Sequence, residues 1–245
     1  MWTVPAIPAK QTPRLSRLLA VLPEAECERL FPHLELVQLT AGQVLYESRM
    51  RFQHVYFPTD SVVSLLYLME DGASAEIAVV GKEGLVGIAL FMGGDTTPSR
   101  AVVRSAGYAY RLSGTLLRKE FSRSGALQNL LLRYTQALLT QMAQTQACSR
   151  HHSIDQQFCR WLLLSLDRLP SSKMKMTQDE IANLLGVRRE GVTVAAGRLQ
   201  KAGLIEYARG RITVLDRPRL EKQACECYFV VKREFDRLLP DVMAS

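Results

Sequence analysis

A chain of 245 residues is long enough for two modest domains, each burying a core of its own, and two is the expectation. With 47% hydrophobic and 22% charged residues, no low-complexity tract and no internal repeat, the composition excludes a disordered protein. The net charge of +7 is uneven: residues 150–245 hold 17 Lys/Arg against 12 Asp/Glu, and residues 1–149 hold 14 against 12. A polyanionic partner is permitted at the C-terminal end, although many solvated faces are equally basic.

Residues 1–22 carry prolines and scattered basic side chains in place of a signal-peptide apolar block, and no apolar run approaches the ~20 residues that span a bilayer. A cytoplasmic protein with no membrane partner is expected. The five cysteines (Cys27, Cys148, Cys159, Cys225, Cys227) are odd in number and widely scattered, which fits reduced thiols better than a disulfide framework. Cys225 and Cys227 alone are close; they read either as a weak metal or redox signal or as packing residues, and no metal site is assigned.

From Leu34 to Leu112 the chain reads as short β-rich runs: Leu34 to Leu39, Val44 to Glu47, His54 to Phe57, Val62 to Leu68, Glu76 to Val80, Ala101 to Ser105 and Tyr108 to Leu112. Turn residues such as Asp71-Gly72 and Gly93-Gly94-Asp95 separate them, and this spacing predicts a roll or barrel. Between Gly125 and Ser149 there is no proline, and Leu127, Leu131, Tyr134, Leu138 and Met142 recur at spacings of three and four. This is a helix on the order of 37 Å long. Leu130, Leu132, Ala137 and Leu139 widen its apolar surface, so one side is free to cover the β-domain while the other meets the same helix of a second subunit. The alternative is a helix buried within one protomer.

Ser153-Ile154-Asp155-Gln156 is a capping box opening a second domain; its helix carries Phe158, Trp161, Leu162, Leu166 and Leu169 on one face and stops at Pro170. Thr177 and Glu180 form another capping box, Ile181, Leu184 and Leu185 give a short helix its buried face, and Gly186 supplies the sharp turn. A second helix runs from about Arg188 to Lys201 with Val192, Ala195, Ala196 and Leu199 on one side. Glu190, Thr193, Val194, Arg198 and Lys201 face outward, with Arg188 and Arg189 at its start. Small residues at the crossing and polar or basic ones outside are what a major-groove recognition helix requires. The outward Val194 suits contact with a thymine methyl or is an isolated surface valine. Two short runs, Leu204 to Tyr207 and Ile212 to Leu215, joined by Ala208-Arg209-Gly210-Arg211, read as a wing with Arg209 and Arg211 at its tip for phosphate contact.

Helix, turn, helix and basic hairpin in this order, behind a long helix and a β-rich segment, resemble the Crp/Fnr superfamily of bacterial transcription regulators. The resemblance implies an α+β chain: an N-terminal β-roll of cyclic-nucleotide-binding-like (jelly-roll) type at 14–122, a dimerisation helix at 123–150 and a C-terminal winged helix-turn-helix with a final helix at 151–245. It implies a homodimer that reads a palindromic double-stranded DNA operator and, for an activator, meets RNA polymerase. Positions matching Arg189, Glu190 and Val194 would then contact bases, and those matching Thr177 and Gln178 would approach phosphate. The Arg-Glu pair is kept; Val194 stands where the family often has a basic residue, so preference at that base should differ.

The ligand pocket departs further. A cyclic-nucleotide site of this family pairs a Gly-Glu with an Arg-Ser/Thr-Ala run, for ribose and phosphate respectively. Here the matching stretches are Gly87-Ile88-Ala89 and Ser99-Arg100-Ala101, with the glutamate lost and the arginine displaced by one residue toward the other strand face. Tight cyclic AMP binding is not expected; Arg100 or Arg104 remains a candidate for another anion, so Gly87, Ser99, Arg100, Ala101 and Arg104 form the ligand set to inspect. An iron-sulfur sensor lacks its grouped cysteines, and His33, His54, His151 and His152 read as surface residues, so no cofactor is expected. Two other functions compete: a metabolite-sensing module acting through protein contacts, and a nucleotide-handling enzyme. Against the enzyme, Gly81-Lys82-Glu83-Gly84 lacks the phosphate-loop spacing and no acid/base constellation is visible.

Overall fold

The computed structural model describes residues 11–169 and 171–239. Pro170, expected to stop a helix, and residues 240–245 of the last expected domain lie outside these. Two short helices, α1 (Arg17–Ala20) and α2 (Glu24–Leu30), lead into seven strands: β1 (Glu35–Leu39), β2 (Val44–Tyr46), β3 (His54–Pro58), β4 (Val62–Leu68), β5 (Ser74–Val80), β6 (Ser99–Ser105) and β7 (Gly107–Ser113). They form two antiparallel sheets, ordered β1-β7-β3 and β2-β6-β4-β5. Val55 and Phe57 on β3 and Ala101 and Val103 on β6 alternate into the core of the roll, while the neighbours Val62 and Val63 are both buried at a register shift in the pairing of β4 with β6.

The roll closes with α3 (Gly114–Phe121) and the long α4 (Ala126–His151). The start of α4 is capped from afar: both oxygens of Glu26 accept backbone N–H bonds, from Ala126 and Leu127, each at 2.8 Å. A carboxylate there satisfies two orphan amides and complements the helix dipole. Leu127, Leu131, Tyr134 and Leu138 are buried inside the protomer and Met142 is half-buried against the same core, while the Tyr134 hydroxyl donates to the Leu85 carbonyl at 2.9 Å. The seam expected on these five residues is therefore corrected: they face the β-roll and the last helix, and the large apolar side chains left outside on α4 are Leu132 (52% exposed) and Leu139 (56%).

The second domain begins with α5 (Ile154–Leu166), followed by β8 (Lys173–Lys175), α6 (Gln178–Leu185), α7 (Arg189–Lys201), β9 (Ile205–Ala208), β10 (Arg211–Val214) and α8 (Arg217–Gln223). Both expected capping boxes are formed, Ser153 with Gln156 and Thr177 with Glu180. The final helix α9 (Glu226–Leu238) runs back along α4. There Phe235 meets Tyr134 edge-on at 6.5 Å, Gln136 donates to Glu234 at 3.1 Å, and the Leu239 carbonyl accepts from Arg17 at 2.9 Å. The other end of α9 stays with the second domain, where the Tyr228 hydroxyl accepts from Arg217 at 2.8 Å and donates to Asp167 at 3.1 Å, so the helix bridges α4 and the expected 151–245 unit.

This return also corrects the reading of the cysteines as scattered: Cys225 and Cys227 meet Cys148, and all three are buried, as are Cys27 and Cys159. His151 is exposed as expected, whereas His152 is half-buried beside them. Among the described residues no helix is long and apolar enough to cross a membrane.

Candidate nucleic-acid interface and sensor pocket

Helix α6 ends at Gly186, whose φ of +65° is a left-handed conformation that residues with a Cβ rarely adopt. The turn delivers α7 across α5. Val192, Ala195, Ala196 and Leu199 are buried on that side, and Gly191 allows the close approach: a Cβ there would lie 2.6 Å from Ile154 Cδ1. The opposite face is open, with Arg188, Arg189, Glu190, Thr193 and Val194 all exposed, Val194 by 51%. The Thr193 hydroxyl donates to Gln178 Oε1 at 2.6 Å, tying the start of α6 to α7, and Arg189 lies 3.5 Å from the Asp179 carboxylate. Arg198 pairs instead with Asp155 on α5 at 3.1 Å.

The wing is a three-stranded sheet in the order β8-β10-β9. Arg209 and Gly210 both have positive φ, +50° and +70°, as a tight two-residue hairpin turn of mirror-image type demands. Arg211 stands directly across from Lys175, with both side chains exposed. Like charges opposite one another weaken a sheet, so this ladder suits a polyanion. The sequence reading missed β8 with its Lys173 and Lys175; the alternation Lys-Met-Lys was the available signal, but three residues are too short a run to stand out. Thr177 and Arg209 open onto a cleft of about 570 Å³ whose far wall is the outer face of the β-roll, including Ser64, Leu66, Val102 and Arg104.

Residues 156–223 match the family model described as the Crp-like helix-turn-helix domain, and residues 36–124 match that of the cyclic nucleotide-binding domain. The chain belongs to the Crp/Fnr superfamily of transcription regulators. Solved structures share its fold. A protein from Eubacterium rectale described as a Crp/Fnr-family transcriptional regulator is 18% identical, with 84% of this chain and 96% of that one covered at a TM-score of 0.68. FixK2 of Bradyrhizobium japonicum is 17% identical, covering 78% and 98%, at a TM-score of 0.66. CLP of Xanthomonas campestris, described as a c-di-GMP responsive global regulator, is 16% identical, covering 79% and 100%, at 0.61. No curated protein sequence matches the chain significantly.

In this Crp/Fnr chain two aromatic rings lie beside the segments expected to line the ligand pocket. Gly87 has φ +103°, and a Cβ on it would lie 3.3 Å from the Phe52 ring. Phe52 stacks on Tyr46 with centroids 4.4 Å apart, and the Tyr46 hydroxyl reaches Ser99. Burial pushes the Tyr46 hydroxyl up to about 12. The two buried rings thus run in sequence from Gly87 toward Ser99. On β6 the side chains of Ser99, Ala101 and Val103 point into the roll, and Arg100 and Arg104 take the outer face, as the one-residue displacement implied. Arg100 pairs with Glu47 at 3.1 Å and Arg104 with Glu76 at 3.2 Å, so each of the two arginines expected as an anion ligand has a carboxylate partner within the protomer.

Arg104 has a different use. Its guanidinium donates to Ser165 Oγ on α5 at 3.0 Å and lies over the Trp161 ring at 5.2 Å. Burial pushes its pKa down while Glu76 opposes that shift. Arg168, just past α5, forms the companion bolt: it pairs with Glu83 at 2.6 Å and donates to Gln141 on α4 at 3.0 Å. Neither bolt was visible in the sequence, because each arginine lies more than twenty-five residues from the side chains it holds.

Proposed function

We propose that the chain is a homodimeric, sequence-specific DNA-binding regulator that acts in the cytoplasm by binding rather than catalysis, and that its sensor domain does not take cyclic AMP tightly. The observation that carries this is the open face of α7, where Arg188, Arg189, Glu190, Thr193 and Val194 are exposed together beside the basic wing. An arginine at this place suits bidentate contact with guanine, Glu190 suits a cytosine amine and Val194 a thymine methyl, while Arg209, Arg211 and the helix start at Thr177 and Gln178 suit backbone phosphate. Leu132 and Leu139, seven residues apart on the free side of α4, support pairing of two copies and hence a palindromic operator. The Tyr46–Phe52 stack and the loss of the family's glutamate at Ile88 support a sensor closed to cyclic AMP. RNA polymerase is a further partner if the outcome is activation.

The test is selection of bound duplexes from a random pool, followed by affinity measurements on the recovered site. A palindromic site is expected, and Arg189→Ala should weaken it about 10- to 100-fold with relaxed choice at one base pair. Recovery of no preferred sequence, or unchanged discrimination in Arg189→Ala with folding intact, would defeat the reading.

A further inference from the structure

The end of α4 and the start of α9 bring four metal-ligating side chains together. Cys148 is in the last turn of α4 and His152, four residues on, is its C-cap; Cys225 is the N-cap of α9 and Cys227 lies in its first turn. Three sulfurs and a ring nitrogen lie within 4.8 Å of one another. Cys148 Sγ is 3.5 Å from Cys225 Sγ, and Cys227 Sγ is 3.6 Å from His152 Nδ1. A tetrahedral ion with metal–sulfur bonds of about 2.3 Å and a metal–nitrogen bond of about 2.0 Å sets ligand–ligand edges of about 3.5–3.8 Å. The two edges above already have that length, and the remaining ones need side-chain shifts of about 1 Å.

The surroundings favour a metal over a simple thiol cluster. The His152 ring turns Nδ1 toward the sulfurs, and its Nε2 lies 3.2 Å from the Glu226 carboxylate. A metal-bound histidine is held in this way, its outer nitrogen fixed by a carboxylate. A disulfide between Cys148 and Cys225 would leave Cys227, His152 and Glu226 without a role. The donor set is soft and thiolate-rich, which selects zinc-like ions over magnesium or calcium. All four corners are protein atoms, as in sites that hold structure rather than catalyse.

We propose that Cys148, His152, Cys225 and Cys227 form a mononuclear tetrahedral site for a soft transition-metal dication such as zinc, fastening α9 to the junction between α4 and α5. That junction sets the start of α5, where Ile154 packs against Gly191 of the recognition helix and Asp155 pairs with Arg198. Loading the site therefore fixes the platform on which α7 sits. The site stands independently of any operator.

The test uses the full chain, reduced and treated with chelator, then titrated with Co²⁺ alone. The expected result is one ion per protomer, with the intense visible bands of tetrahedral cobalt–thiolate, loss of those bands on adding Zn²⁺, and a higher melting temperature when loaded. Cys148→Ser and Cys227→Ser should abolish the bands, Cys27→Ser should keep them, and Glu226→Gln should keep them but weaken binding about tenfold or more. Three results overturn the proposal: no tetrahedral cobalt spectrum in the reduced wild-type chain, bands that survive in Cys148→Ser or Cys227→Ser, or a metal-free Cys148–Cys225 disulfide in protein isolated without oxygen. Since the decisive titration is on the wild-type chain, a variant that fails to fold does not blunt it.

Discussion

The Trp161 indole N–H donates to Glu76 Oε1 at 3.1 Å, joining the first helix of the DNA-binding domain to strand β5 of the roll. The other oxygen of the same carboxylate accepts from Ser64 and pairs with Arg104, whose guanidinium lies over the Trp161 ring. Glu76 is thus the shared acceptor of a buried network drawn from both domains. A movement of β5 or β6 cannot leave α5 unaffected without breaking or rearranging these bonds, which bury a charged pair between the two domains.

Glu76→Ala removes the carboxylate paired with buried Arg104 and should destabilise the chain by about 3–5 kcal/mol, the cost of leaving a buried charge uncompensated. Glu76→Ala combined with Arg104→Met should recover much of that loss. Urea denaturation of the wild-type chain and the two variants checks this; a single-variant loss under about 1 kcal/mol would show that water reaches the network.

Leu132→Glu with Leu139→Glu should halve the mass seen by light scattering while leaving the protomer folded, since both side chains are more than half exposed. Leu131→Ala, one residue away and fully buried, should instead lose about 2–5 kcal/mol of stability from the cavity it leaves. An unchanged mass in the double variant would place the subunit contact elsewhere.

Gly191→Ala drives a Cβ against Ile154 Cδ1, and Ile154→Val deletes that very methyl group. The two changes should couple, the double variant being more stable than the sum of the singles by at least about 0.5 kcal/mol. Operator affinity should follow the same pattern, because α7 is displaced only in the single Gly191→Ala chain. Additive behaviour would mean that α5 and α7 do not meet at this point.

Elements whose signals are local were legible in the sequence. Thr177 and Glu180, Ser153 and Gln156, and the four small or apolar residues of α7 sit within one or two helical turns of each other, so spacing alone reports their geometry. The wing turn was readable for the same reason. What escaped depended on distant chain segments. The inner face of α4 was mistaken for an outer seam because an apolar stripe does not say which partner covers it, and α9, which helps to cover it, lies about a hundred residues away. Cys148 and Cys225 are separated by 77 residues, and nothing short of the path of α9 brings them together.

Arg209 sets stability and binding against each other. It holds a φ of +50° that costs a residue with a Cβ about 1–2 kcal/mol, at a turn position where asparagine before glycine is strongly preferred. Arg209→Asn should therefore raise stability by about 0.5–1 kcal/mol, while removing one cation from the wing tip. If that cation meets a phosphate, affinity should fall evenly across sequences and the slope of log K against log salt should drop by about 1. Retention of the arginine despite its strain then has its reason in the polyanion. The expected signature is opposite signs in denaturation and in DNA titration; a variant that gains stability and keeps both affinity and salt slope would remove Arg209 from the interface and leave Arg211 and Lys175 to carry the wing.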